Sequence, residues 1–166
     1  MLQPTVRRTW SQRGQTPIHY SWDRRDRLSA ISTLSVSPKR HKLGLYFSVQ
    51  NRNICADDFE AFVAQLLIHF PKGVILVIDR WMVHRSGVRH LKDRFGRRVE
   101  VEWLPAYAPE LNPVEQIWNY GKYSQLANFI PDDINHLASV LDVSLSQQAK
   151  KKDLLRSFFH CAKLKI

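Results

Sequence analysis

Val74-Ile75-Leu76-Val77-Ile78-Asp79 is a run of five aliphatic residues, four of them β-branched, followed at once by a carboxylate. A continuous apolar run of this length, without alternation, is the pattern of a strand buried on both faces, as in parallel sheets. It is far too short to cross a bilayer. Asp79 therefore stands at the carboxyl end of a core strand, where crevices form in open α/β sheets. A carboxylate there is costly to bury unless it is paired or holds a metal. A turn aspartate capping the next segment explains the same residue equally well.

The elements on either side supply the architecture. Upstream, Phe59, Phe62, Val63, Leu66, Leu67 and Phe70 recur at helical spacing, which predicts a helix over 57–70. Asp57 and Glu60 match a capping box at its start, and Pro71-Lys72-Gly73 ends it. Before it, 28–36 and 42–50 read as two strands joined through Ser37-Pro38-Lys39-Arg40, an antiparallel hairpin. Residues 1–27, with Pro4, Gly14 and Pro17, read as loop or short extended pieces. Downstream come a helix over 84–95 closed by Gly96, an alternating strand over 99–104, a Pro-rich loop over 105–113, and helices over 113–127, 131–146 and 150–163. A hairpin followed by alternating helices and strands predicts one mixed α/β domain over residues 1–166, a sheet flanked by helices.

Composition narrows the classes. The 166 residues are 44% apolar and 11% aromatic, values of a folded globular chain. No apolar stretch follows the first basic residues, so no secretory signal is expected, and no segment is suited to a membrane; the expected location is cytoplasmic. Cys55 and Cys161 stand apart, without metal-site or disulfide-framework spacing. The net charge of +10 is blocked: residues 1–52 carry +8, 80–100 carry +5 and 149–166 carry +5, with 53–79 at −3 and 101–148 at −5. Basic blocks alternating with acidic ones suit a grip on a polyanion with carboxylates held back for a metal. A solvated basic surface fits the same counts.

The second informative stretch is Leu104-Pro105-Ala106-Tyr107-Ala108-Pro109-Glu110-Leu111-Asn112-Pro113-Val114-Glu115-Gln116-Ile117-Trp118. On its own, Asn112-Pro113-Val114-Glu115 is a helix start, with Asn at the cap, Pro at the first helical position and Glu closing a capping box. Read whole, the stretch closely resembles the signature of mariner-like DDE transposases, in particular their bacterial insertion-sequence branch. The family also has an aliphatic strand ending in Asp and a His five residues later, matched here by Val74–Ile78, Asp79 and His84. Thirty-five residues separate Asp79 from Glu115, close to the family's spacing. The likeness runs from Leu2-Gln3-Pro4-Thr5-Val6 to the C-terminal helices.

That resemblance implies a ribonuclease-H-like fold and metal-dependent cutting and joining of DNA, with carboxylates gathered on two Mg²⁺ or Mn²⁺ ions. It makes Asp79 the second catalytic and metal-binding acid and Glu115 the third, and it places Arg80, His84, Arg85 and Lys122 where nucleic acid is contacted. Lys150-Lys151-Lys152 with Arg156 fits either a DNA contact or a solvated helix face. Implied partners are DNA at transposon ends and a second copy or a full-length transposase.

Two departures stand out. Arg80 replaces the Asn frequent in relatives. The family's first acid lies on a strand preceding the stretch matched by residues 1–17, so the sheet is expected to lack its first, central strand and the chain its N-terminal helix-turn-helix. Asp23 and Asp26 sit among arginines in a polar turn, and Asp57, Asp58 and Glu60 at a helix start, so none replaces it. The expected metal site is therefore incomplete, and whether the chain acts as an enzyme stays open. Its readings are a transposase catalytic-domain fragment, a non-catalytic DNA-binding or inhibitory transposase fragment, or a nuclease of the same fold using other acids.

Overall fold

The computed structural model describes residues 8–18 and 28–166. The Asp23/Asp26 turn and the N-terminal match over 2–6 lie outside the described residues. The element order is β1 (Ser29–Val36), β2 (Leu43–Gln50), α1 (Ala56–His69), β3 (Val74–Ile78), α2 (Met82–Phe95), β4 (Val99–Trp103), α3 (Val114–Tyr120), α4 (Ile134–Lys150) and α5 (Lys152–Cys161). The expected hairpin is present: β1 and β2 pair antiparallel, from Ser29 opposite Gln50 to Val36 opposite Leu43. β3 and β4 pair in parallel, Val74 opposite Val99 through Ile78 opposite Trp103, with α2 as the crossover. Among the described residues these are two separate two-stranded sheets.

Each sheet has its own core. Leu43 and Leu45 of β2 pack with Ile117, Leu126, Leu141, Leu145, Leu155, Phe158 and Phe159 from the C-terminal helices. Leu76 and Val99 pack with Phe59, Val63 and Leu67 of α1 and Val88 and Leu91 of α2. β1 touches both, because its side chains alternate: Ala30 and Leu34 face the first core and Ile31 the second. Close approach is built in at two glycines. Gly73, which ends the turn after α1, has φ +105° and its missing Cβ would lie 2.6 Å from the Arg98 carbonyl. At Gly87 a Cβ would meet the Phe59 ring at 2.5 Å, so α2 rides directly on α1.

Three expectations are corrected. β3 is covered on one face only: Ile75 and Val77 are 64% and 60% exposed. α1 and α2 cover the Leu76 side, and across the open face Ile75 and Val77 sit opposite exposed Glu100 and Glu102. The capping box of α1 lies two residues before Asp57/Glu60, at Cys55/Asp58. Asp58 Oδ2 accepts the Cys55 N–H at 2.9 Å, while Glu60 instead accepts from Arg94 of α2 at 2.8 Å. The helix expected over 113–127 is α-helical only to Tyr120 and then widens into a π turn over Gly121–Gln125. Gln125 Oε1 there accepts from Ser144 Oγ at 2.6 Å and Gln148 Nε2 at 3.0 Å, a buried polar tie that fixes the turn to α4. Trp103 is 37% exposed at the end of β4.

Because the fully buried residues of the two cores come from different strands and helices, with only partly buried β1 side chains touching both, damage to one should stay largely local. Leu155→Ala, at a fully buried site, is expected to cost about 2–5 kcal/mol. Amide exchange should accelerate in β2, α4 and α5 while β3 and β4 keep their protection; Leu76→Ala should do the reverse. A second expectation concerns acid. The Arg52 guanidinium, 2.7 Å from Asp58 Oδ2, together with the Cys55 N–H, holds the Asp58 carboxyl well below its ordinary 3.8. The folded-state value is the lower one, so the interaction stabilises fully above the unfolded value and is lost as pH falls through the folded one. In Arg52→Ala the Asp58 titration followed by NMR should move back up towards 3.8.

Candidate functional site

Asp79 leaves β3 at its carboxyl end, and the strand pairing carries one step further, with the Leu104 N–H donating to the Ile78 carbonyl at 2.8 Å. That bond sets the start of the 104–113 loop beside Asp79. Residues 104–109, Asn112 and Glu115 line one cavity of about 390 Å³ with Asp79 and Arg80. Asp79, Glu115, Asn112 and His84 also line the end of a larger cleft of about 610 Å³ between β1 and β3. The two acids that the sequence places thirty-five residues apart therefore meet at one opening.

The two carboxylates are held differently. Asp79 Oδ1 accepts the Trp81 N–H at 3.0 Å and lies 2.7 Å from His84 Nδ1. His84 is itself wedged, its ring 4.8 Å from Phe59 and 5.4 Å edge-on to Trp81, with the side chain 17% exposed. Asp79 is thus oriented through one oxygen while Oδ2 is unused, and the carboxylate is half exposed. Glu115 settles the alternatives left open at the helix start. Asn112 Oδ1 accepts the Val114 N–H at 3.1 Å, so Asn112 does cap α3. The reciprocal half of the box is not made, because the Asn112 N–H already donates to the Pro109 carbonyl at 3.0 Å in a 3₁₀ turn over 109–111. Among the described residues the Glu115 carboxylate has neither a hydrogen bond nor an ion pair and is available to the cavity.

Of the expected DNA contacts, Arg80 lines the cavity and is exposed, and Arg85 is exposed on α2. With Arg89 and Lys92 it forms an exposed stripe at helical spacing that begins one turn past the site. None of these four has an acidic partner among the described residues. His84 faces Asp79 rather than solvent, and Lys122 is half-buried in the π turn. The sequence reading passed over Trp81, 50% exposed, and did not single out Tyr107, which is fully exposed at φ +57°. Positive φ at an aromatic residue is a strained conformation that the sequence alone does not advertise.

One other cluster has metal-ligand chemistry: Asp57, Glu60 and His90 bring one ligand atom each within 4.8 Å of one another across α1 and α2. It lies apart from Asp79, and Glu60 there is already engaged by Arg94. Among the described residues no third carboxylate joins Asp79 and Glu115 in such a group.

The family model of the DDE superfamily endonucleases matches residues 1–137. No curated protein matches the chain by sequence. Among solved structures the chain is similar to the Mos1 strand transfer complex, with TM-score 0.60 and 16% identity over 98% of this chain and 47% of that one. It is also similar to the Mos1 transposase paired-end complex with left transposon end, with TM-score 0.62 and 18% identity over 96% and 48%. At those identities the likeness bears on the fold, which is ribonuclease-H-like. The chain spans about half the length of these solved chains.

The division of labour at the start of α3 is open to measurement. Asn112→Ala removes a formed cap and should cost about 0.5–2 kcal/mol of stability in urea unfolding. Glu115→Gln removes no bond and should fall within about 0.5 kcal/mol of the parent.

Proposed function

The chain belongs to the DDE superfamily endonucleases, and from that membership we propose that it is the catalytic-domain portion of a transposase, acting on DNA at Asp79 and Glu115. The observation that carries the reading is the shared cavity: two carboxylates distant in sequence, one oriented through a single oxygen and one free, open onto the same space. The donor set fits a divalent cation of the kind on which this family generally depends. Carboxylate oxygens suit a hard ion, and Mg²⁺ is commonly held by one or two carboxylates with water and substrate phosphate completing its shell. Asp79 and Glu115 would hold it. When bound, such an ion activates an attacking oxygen and stabilises a leaving one in phosphoryl transfer. We assign Mg²⁺ or Mn²⁺ to this role.

The chain's own residues prepare that chemistry. His84 and the Trp81 N–H fix the rotamer of Asp79 and leave its second oxygen pointing free of protein partners. Arg80, beside the carboxylates, offsets negative charge brought by a DNA phosphate. The α2 stripe of Arg85, Arg89 and Lys92 extends the contact along the backbone. The substrate is a transposon end, with pairing to a second copy or to a longer transposase, in the cytoplasm.

A second reading, a non-catalytic DNA-binding or inhibitory transposase fragment, is favoured by one observation: no third carboxylate joins the pair among the described residues. On either reading duplex binding should depend steeply on salt and little on sequence, since the contacts available are to phosphate. Fluorescence anisotropy against matched and scrambled duplexes should give equal affinities. Arg85→Ala and Arg89→Ala should each flatten the salt slope by about one. A strong preference for one sequence at physiological salt would contradict this.

Metal binding separates the site from the rest of the surface. Titration of Mn²⁺ into the chain should lose roughly tenfold or more in affinity with Asp79→Asn or Glu115→Gln, and nothing with His90→Ala. Supercoiled DNA nicking separates the two readings, and its absence with Mg²⁺ or Mn²⁺ would select the second. Mg²⁺-dependent nicking abolished by either acid variant would select the catalytic reading over the second.

A further inference from the structure

Lys39, Arg40 and Lys42 crowd the turn that closes the hairpin, and all three are exposed. The six cations of 149–166 are balanced by a single acid, Asp153. The fold brings these two basic segments together. Arg40 Nη1 donates to the Lys165 carbonyl at 3.0 Å, and Lys152 Nζ donates to the Leu43 carbonyl at 2.7 Å. Behind that contact Leu43 packs with Leu155, Phe158 and Phe159 of α5.

Neither bond is an ion pair; each cation is held by a main-chain carbonyl. Among the described residues the Lys and Arg ion pairs are Arg52 with Asp58 and Arg94 with Glu60, and neither lies here. Like charges gathered in this way repel one another and weaken the compact state, and a bound polyanion removes that repulsion. The exposed Trp and Tyr side chains, Trp81 and Tyr107 among them, all lie outside the patch. The bases of a single strand therefore find no ring to stack on, and the contact on offer is to the phosphates of a duplex.

This face is not the carboxylate site. The cleft shared by Asp79 and Glu115 reaches β1 only as far as Thr33, and it meets the chain after β2 at Asn53 and Ile54. Those residues belong to the open end of the hairpin, whereas the patch is built on its closed end. The eight residues of β1 set the two ends about 25 Å apart.

We propose that the hairpin turn and the start of α5 form a second surface for duplex DNA, which holds it by its phosphates and is separate from the duplex beside Asp79 and Glu115. The proposal rests on the reading of the chain as acting on DNA, but it uses none of the residues of that site.

The test uses the full 166-residue chain and a duplex of about ten base pairs, one helical turn. Lys39→Gln, Lys42→Gln and Lys151→Gln are combined, because these side chains are exposed and make no hydrogen bond among the described residues. Arg40 and Lys152, which latch the two segments together, stay in place. At low salt, sedimentation should find two duplexes on the parent chain and one on the triple variant. Without DNA the triple variant should melt at or above the parent's midpoint, since it has lost like charges. In an Arg85→Ala/Arg89→Ala background, each single lysine substitution should flatten the salt slope of the remaining duplex by about one.

One duplex on the parent chain, or two kept by the triple variant, overturns the proposal. Tighter binding of a single strand of the same length, lost in the triple variant, overturns it as well. If the triple variant keeps both duplexes but releases anionic lipid vesicles that the parent holds, the surface is a lipid one and the proposal falls. A duplex lost in Arg85→Ala/Arg89→Ala but not in the triple variant leaves the α2 contact standing without the patch. The converse tells against the α2 contact and leaves the patch standing.

Discussion

The parallel pairing of β3 with β4 is the constraint on which the site depends. Its register places Ile78 opposite Trp103, and the Leu104 N–H then reaches the Ile78 carbonyl. A parallel pair needs a crossover, and α2 supplies it within the fourteen residues Met82–Phe95. From there the order of events is forced: Asp79 leaves one strand where the Pro-rich loop leaves the other, and the loop delivers Glu115 within a short 3₁₀ turn and a single cap. Gly73 makes the pairing possible, since any side chain there would collide with the Arg98 carbonyl just before β4 begins.

Around that pair polar groups are engaged sparingly at the opening and more fully where helices and hairpin are tied together. Asn112 and the Pro109 carbonyl satisfy the start of α3 between them, so Glu115 has no structural duty. Asp79 is half-committed, one oxygen holding Trp81 and His84. Away from the site, Gln125, Ser144 and Gln148 close a buried network, and Lys152 Nζ donates to the Leu43 carbonyl at 2.7 Å to seat α5 on the hairpin. The Ser144 hydroxyl and the Gln148 amide nitrogen are paired in that network, although Gln148 Oε1 has no partner among the described residues; the two carboxylates that face the opening are kept available.

The separation into two sheets gives the site its setting. The acids sit at one end of a cleft whose long walls are strand edges and whose sides are helices. The exposed basic stripe of α2 starts at Arg85, one residue after His84, which lines the same cleft.

Local sequence determined what is set by neighbours along the chain. The Val74–Ile78 run became β3 at its expected bounds, and the hairpin, α1, α2 and the C-terminal helices lie within a few residues of where periodicity puts them, because strand and helix patterning are short-range properties. The 104–118 motif and the blocked charge pointed to the family and to Asp79 and Glu115 before any coordinate. Tertiary structure decided the rest. A five-residue aliphatic run reads the same whether one face or two will be covered, and only packing left Ile75 and Val77 open. A capping-box sequence reads the same whether or not the cap N–H is already taken, and only the 3₁₀ turn at Pro109 freed Glu115 from the box. The edges of β1 and β3 share a cleft because of which strands find partners, and pairing between segments distant in sequence is not written in either segment alone.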